Sequence, residues 1–300
     1  MKILITGGNG QLGTELNKAL ESGKTELGVY WPQPMDVEVS CIDIEDLDIA
    51  RLSKVREKVT EFQPDIIINC AAYTNVDKCE TDQDSAFSVN AIGPRNLAVA
   101  AEAIGCKLIH ISTDYVFSGE GCVPKSEWDL CAPNSIYGHT KRLGEEYVMA
   151  FCKRSFIIRT AWLYGYRGNN FVKTILRNAK EKPELFVVND QRGNPTNAAD
   201  VAHHILKLAI TEEYGIYHCT CGGECTWYEF AKEIVRLSGL GCIVNPCDTK
   251  DYPRPARRPA YSALDNRMLR CTVGDETRLW GDALAAYMAH YDKGSGEIAE

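Results

Sequence analysis

Tyr137 and Lys141 stand four residues apart in SIYGHTKRLGEE, residues 135–146, in what reads as the first turns of a helix. Residues at that spacing share a helix face, so a phenol and an ammonium can point at one bound molecule. A phenol with an ordinary pKa of about 10 is a poor acid–base group at neutrality. A fixed cation nearby favours the phenolate and brings its pKa towards working pH. Taken alone, the pair is ambiguous, because Tyr-x-x-x-Lys also arises by chance on solvated helices. Glu145 and Glu146 in the same stretch read as such a solvated face. Upstream, HISTDYVF (110–117) closes a strand and sets Thr113 at its C-terminal end, the edge where open parallel sheets bind ligands. The Thr113 hydroxyl is a donor for a carbonyl oxygen that gains negative charge.

The elements that must position these groups begin at the N-terminus. KILIT (2–6) is a short apolar run followed by TGGNGQLG (6–13) and a helical pattern from about Gln11 to Leu20. Gly7, Gly10 and Gly13 give G-x-x-G-x-x-G at the strand-to-helix turn. Glycines there permit close backbone approach, and the helix N-terminus offers free N–H groups to phosphates. In this strand–turn–helix context, dinucleotide binding is favoured over a mere turn. ELGVYW (26–31) reads as the second strand, ending on Tyr30 and Trp31 without the usual acid for an adenosine ribose. Asp43 and Ile44, where a third strand would end, are the better candidates for the adenine end, although Asp43 could simply cap the next helix.

Strand and helix patterns continue to alternate through the first half. Helices are expected over 43–62 and 84–104, strands at DIIINCA (65–71), KLIHIS (107–112) and SFIIRT (155–160), and a loop over 118–134. After Trp162 the pattern loosens, with helices expected over 170–181, after Thr196, over 227–238 and over 277–291, an apolar LFVV, a short strand near Ile216 and an irregular DYPRPARRP (251–259). The fold expected is α/β: a Rossmann-type doubly wound parallel sheet with a smaller, partly interleaved α/β C-terminal substrate domain. Residues 1–165, with contributions from about 190–215, would bind the dinucleotide; 166–292 would mainly hold substrate, and 293–300 read as a frayed tail.

Composition narrows the partners. The 300-residue chain carries 45% hydrophobic and 25% charged residues, with a formal net charge of −8. An acidic chain without a Lys/Arg-rich run argues against nucleic acid or an anionic membrane as partner. The start MKILITGG lacks the charged and apolar regions of a signal peptide, and no apolar run suits a membrane span, so a cytoplasmic location is expected. Thirteen cysteines, an odd number, read as reduced thiols rather than a disulfide framework. Cys219, Cys221 and Cys225 lack a usual zinc-ligand spacing and read as buried thiols, so no metal is expected.

The glycine turn, the strand-end Thr113 and the Tyr137/Lys141 pair, in this order and spacing, resemble the extended short-chain dehydrogenase/reductase family. Within it, NCAAYTNVDKCE (69–80), STDYVFSG (112–119), NSIYGHTK (134–141), IRTAWLYG (158–165), GNNFV (168–172), NDQRGNPT (189–196) and RPAYSAL (258–264) look like the dTDP-4-dehydrorhamnose reductases. The resemblance spans nearly the whole chain apart from the tail and the Pro-rich 31–40 segment. It implies hydride transfer from NADPH or NADH to the C4 ketone of a dTDP-linked 6-deoxyhexulose. Tyr137 would protonate the forming alkoxide, Lys141 would hold the nicotinamide ribose and lower the phenol pKa, and Thr113 would bond the carbonyl, with Asp114 contacting the sugar. Gly10, Gln11 and Leu12 would line the pyrophosphate, Asp43 and Ile44 the adenosine, and Ala72, Tyr73 and Thr74 the cofactor's middle. Tyr73 stands where the family often has His.

Trp162 would border the sugar, and Asn170, Gln191 and Arg258 the nucleotide. The plain alternatives for these three are a helix N-cap, a turn residue and a solvated charge. Arg254, Arg257 and Arg258 would form the basic patch a diphosphate needs, a solvated loop being the other reading. Rival functions are a sugar-nucleotide 4,6-dehydratase or epimerase, or a non-catalytic cofactor-binding subunit similar to that of methionine adenosyltransferase. Dehydratases follow Thr-Asp with Glu, whereas Tyr115 follows here, and NDQRGNPT argues against an epimerase. A homodimer is compatible with the sequence but not dictated by it.

Overall fold

The computed structural model describes residues 1–30 and 36–291; Trp31 and the expected tail lie outside the described residues. In chain order the first half contains β1 (Lys2–Thr6), α1 (Gln11–Ser22), β2 (Glu38–Ile42), α2 (Leu52–Phe62), β3 (Ile66–Asn69), α3 (Val76–Thr81), α4 (Gln83–Phe87), a π-turn (Ser88–Ile92), α5 (Gly93–Ile104), β4 (Lys107–Thr113), α6 (Ile136–Phe151) and β5 (Ser155–Thr160). The second half adds β6 (Leu163–Tyr164), α7 (Phe171–Glu181), β7 (Glu184–Val188), β8 (Arg192–Gly193), β9 (Thr196–Asn197), α8 (Ala198–Ala209), β10 (Gly215–His218), β11 (Cys225–Thr226), α9 (Trp227–Ser238), β12 (Ile243–Cys247), α10 (Arg267–Cys271) and α11 (Trp280–Tyr291).

Six strands form one parallel sheet in the order β10-β5-β4-β3-β1-β2. Alternation along β1 shows how it is covered on both faces. Ile3 and Ile5 enter a core with Leu12 and Leu16 of α1 and Ile205 of α8, while Leu4 enters the opposite core with Val55 of α2, Leu97 of α5 and Val148 of α6. The order reverses between β1 and β3, which places the ligand-binding crevice of a doubly wound sheet above their C-terminal ends. A third core joins Val172 and Ile175 of α7, Leu185 of β7, Phe230 and Ile234 of α9 and Leu284 of α11. The start of α9 is fixed by a capping box, in which Thr226 accepts from the Glu229 amide while the Glu229 carboxylate accepts from the Thr226 amide.

The second strand is not where the sequence put it. ELGVYW forms no sheet strand over its described residues: Thr25 and Gly28 pair in a tight turn, and Tyr30 is buried with its hydroxyl donating to the Ala19 carbonyl. The strand beside β1 is instead Glu38–Ile42. This edge strand buries only Ile42, so its sequence lacks the apolar run that marks the central strands. Asp43 and Ile44 therefore follow the second strand, not a third. The helix expected over 43–62 starts only at Leu52, after turns, and the one expected over 84–104 is interrupted by the π-turn.

Candidate active site

The glycine turn fits a dinucleotide. Gly7 has φ +70°, and a Cβ there would lie 2.6 Å from the Ala71 nitrogen; one on Gly13 would lie 2.4 Å from the Gly7 carbonyl oxygen. Larger residues would force the turn away from β3 and close the crevice. Helix α1 is capped at Gly10 without a side-chain hydrogen bond, so no side chain takes the first-turn amides at Gln11 and Leu12. Asp43 does not cap a helix: one carboxylate oxygen accepts from the Asn9 amide at 2.9 Å and the other from the Ile44 amide at 2.8 Å, tying the turn to the end of β2. Ile44 beside it is exposed. Across the crevice, the backbone after β3 is held by Asn90 of the π-turn, which accepts from the Tyr73 amide at 2.8 Å and donates to the Tyr73 carbonyl at 3.1 Å. Ala72, Tyr73 and Thr74 thus follow a strand end pinned from below, and the Tyr73 hydroxyl is turned to Asp82 at 3.1 Å.

Thr113, Tyr137 and Lys141 converge where β4 meets α6. Ser135 caps α6 by accepting from the Gly138 amide, and Glu80 of α3 accepts from the Ile136 amide, which fixes the helix start. Tyr137 is 9% exposed, and its ring meets Tyr115 edge-on at 5.4 Å. Burial pushes its phenol up, partly offset by a hydrogen bond with Thr113, while Asp114 and Tyr115 push it further up. Lys141 is not among the main groups acting on the phenol, contrary to the depression expected from the sequence. Its ammonium turns instead to the Ile111 carbonyl at 2.5 Å and to His110 Nε2 at 3.4 Å. Burial lowers Lys141 to about 8, with Glu145 opposing that fall. The Thr113 hydroxyl donates to Asp114 at 2.8 Å, and burial raises Asp114 to about 6.

Beside this centre lies a cavity of about 610 Å³, whose walls include Tyr115, Trp162, Gln191, Trp227, Arg254 and Arg258. Trp162 takes the left-handed conformation, φ +48°, which is rare for a bulky residue and is held by its surroundings. Its indole stacks on Trp227 at 3.5 Å between centroids with planes 4° apart, and its N–H donates to Ser262 at 3.1 Å. The motif glycine Gly193 lies under that ring, where a Cβ would come within 2.7 Å of the indole. Arg258 pairs with Asp77 at 2.9 Å and Arg254 reaches the same carboxylate at 3.8 Å, so two arginines of the patch face the cavity. Arg257 pairs instead with exposed Glu120 at 3.4 Å. Gln191 is buried and donates to Thr249 at 2.9 Å.

Asn170 lies elsewhere. It caps α7 by accepting from the Lys173 amide at 3.0 Å, and its amide donates to Gln11 at 3.0 Å, joining α7 to the glycine turn. It is thus the cap of α7 beside the glycine turn, and it is not among the residues lining the cavity beside Arg258.

Residues 1–293 match the model of the RmlD substrate binding domain. This chain belongs to the RmlD family. Spore coat polysaccharide biosynthesis protein SpsK of Bacillus subtilis is 42% identical over 96% of each chain. A dTDP-4-dehydrorhamnose reductase structure from Clostridium acetobutylicum has a TM-score of 0.92 and 49% identity, covering 97% of this chain and 100% of the other. The dTDP-4-dehydrorhamnose reductase of Bacillus anthracis, in complex with NADP, has a TM-score of 0.89 and 42% identity over 96% and 99%. The recognised family and the Rossmann-type fold are therefore as the sequence motifs implied.

Several residues of this RmlD-family site escaped the sequence reading. Glu145 is fully buried, not solvated: Ser112, Arg142 and Arg159 donate to its carboxylate. The missed signal was its spacing, since Glu145 follows Lys141 by the same four residues that separate Lys141 from Tyr137. Glu146 stays half exposed and pairs with Arg142. Asp77 and Ser262 lie within the family-like segments 69–80 and 258–264 but were given no role there, and Trp227 lies outside every such segment. Cys219 lies in the core beneath α8 and Cys225 in the third core, and among the described residues no cluster of metal-ligating groups occurs. Among those residues no helix is long and apolar enough to cross a membrane.

Proposed function

We propose that this chain reduces the C4 ketone of dTDP-4-dehydro-L-rhamnose to dTDP-L-rhamnose. The observation that carries the reading is the meeting of Thr113 and Tyr137 at the sheet edge beside a cavity walled by Trp162 and Arg258. A reduced nicotinamide dinucleotide supplies the hydride when bound. The glycine turn and the first-turn amides of α1 hold its pyrophosphate, and Asp43 braces that turn from β2. With substrate bound, Thr113 turns its one proton from Asp114 to the ketone oxygen, and Tyr137 delivers the proton as that oxygen becomes an alkoxide. A phenol raised by burial is fully protonated at neutral pH, which suits a donor. Lys141, one helical turn away, supplies positive charge beneath the centre.

On the substrate side, the Trp162 face borders the sugar, and Arg258 and Arg254 face its diphosphate while shared with Asp77. Asp114 contacts the sugar hydroxyls, and Gln191 the nucleotide. In this assignment residues 1–165 with 190–215 serve the cofactor and 166–292 mainly the substrate. The test is to mix the protein with dTDP-4-dehydro-L-rhamnose and NADPH or NADH and follow the reduced nicotinamide absorbance. Oxidation with either supports the reading, and none with both overturns it.

A further inference from the structure

The buried carboxylate of Glu145 lies outside the reaction just described, yet it ties together the strand that carries Thr113 and the helix that carries Tyr137. Residues 137, 141 and 145 succeed one another at four-residue steps on α6, so Glu145 lies on the same inward face as the Tyr137/Lys141 pair. One of its oxygens accepts from the Ser112 hydroxyl at 2.6 Å and from Arg159 Nε at 2.8 Å. The other accepts from Arg159 Nη2 at 2.8 Å and from Arg142 Nη1 at 2.9 Å. Ser112 immediately precedes Thr113 on β4, and Arg159 is its register partner on β5. Glu145 and Arg159 are 0% and 1% exposed. A carboxylate in that setting is tolerated only with its lone pairs filled, as they are here. The outer side of the guanidinium is equally enclosed: His218 of β10 lies 3.4 Å from it, the Glu127 carbonyl 3.5 Å and the Cys131 sulfur 3.3 Å, with the Phe117 ring 5.2 Å away.

We propose that Glu145 is a positioning residue for the reduction: through Ser112 and Arg159 it locks the helix bearing Tyr137 and Lys141 onto the strand bearing Thr113. The fork-on-carboxylate geometry with Arg159 fixes direction as well as distance, which a purely apolar contact between helix and sheet would leave free. A shift of the helix by an ångström would part the Thr113 and Tyr137 hydroxyls, which must reach one substrate oxygen together. Glu145 also provides the anion that opposes the loss of charge on buried Lys141, whose other neighbours are His110 of β4 and Cys70 after β3.

The inference rests on the proposed reduction, so wild-type turnover is the control: if the wild type oxidises neither NADPH nor NADH with the ketosugar, that reading fails, not this one. Given wild-type activity, Ser112→Ala, which removes one neutral donor, is expected to lower kcat by about tenfold or more while KM and NADPH affinity stay within about twofold. Ser112→Thr, which restores a hydroxyl, recovers most of the loss. Glu145→Gln is expected to lower kcat further and to move the alkaline decline of kcat to lower pH, because Lys141 loses a neighbouring anion. Ser112→Ala with kcat within about twofold of wild type overturns the proposal. So does a loss in Ser112→Ala that the Thr variant does not recover, or a folded Glu145→Gln with unchanged kcat and pH profile. Where Glu145→Gln fails to fold, the two Ser112 variants decide.

Discussion

Tyr137 has a single polar atom to lose, which makes it the sharpest residue to test. Tyr137→Phe keeps the ring that packs edge-on against Tyr115 and removes the proton, so kcat should fall by about 10²–10⁴-fold with reduced-cofactor affinity unchanged. A variant as active as wild type would show that the proton comes from elsewhere. Lys141 sets a second expectation. Burial lowers its ammonium to about 8, so the charged form is complete well below that pH and is lost as pH rises through it. The kcat profile should therefore decline above about pH 8, and Lys141→Arg, which keeps its charge, should move that decline upward. The grouping of Tyr137, Lys141 and Thr113 where β4 meets α6 was legible because the proposed chemistry needs particular residue types at particular spacings. Glu145 was not, because its four-residue step from Lys141 marks only a shared helix face, and the partner that makes a buried carboxylate tolerable, Arg159, comes from a distant strand. The direction of the Lys141 side chain was equally hidden, since only the folded chain shows that the Ile111 carbonyl captures it.

Among the elements, α6 is the most tightly constrained. It packs backbone to backbone against the π-turn and the segment after β4: a Cβ on Gly144 would lie 2.2 Å from the Asn90 carbonyl oxygen, and one on Gly138 would lie 2.2 Å from that of Tyr115. Gly144→Ala should therefore push α6 off the π-turn that anchors Tyr73. Overpacking of this kind costs about 1–3 kcal/mol, and each kcal/mol lowers Tm by about 2–4 °C in a chain somewhat smaller than this. Thermal unfolding monitored by circular dichroism measures it, and an unchanged Tm would mean that the helix can move freely there. The central strands were readable from their apolar runs, as in DIIINCA, and α9 from Thr226 and Glu229. The edge strand β2 was not, because only Ile42 is buried and ELGVYW mimics a strand with its aromatic and β-branched residues.

For the molecule as a whole, the site draws on the cores of the sheet and on the core around α7 and α9. The glycine turn hangs from the sheet, Asn170 bridges α7 to Gln11, and Trp227 of α9 backs the ring that follows β5. A bound dinucleotide should stabilise this assembly as one unit. At a concentration 100 times its Kd, ligand linkage adds about 2.7 kcal/mol to the folded state. A single unfolding transition that moves upward with NADPH or NADH is expected. The same transition unmoved by either at millimolar concentration would mean that the glycine turn does not bind a dinucleotide.

The stack of Trp162 on Trp227 has an optical consequence. Two indoles face to face at 3.5 Å exchange excitation, so their near-ultraviolet dichroism and emission depend on the gap between them. One ring follows β5 and the other opens α9, and the two form adjoining walls of the cavity. The pair is thus an intrinsic, label-free chromophore that reports when those walls part or close.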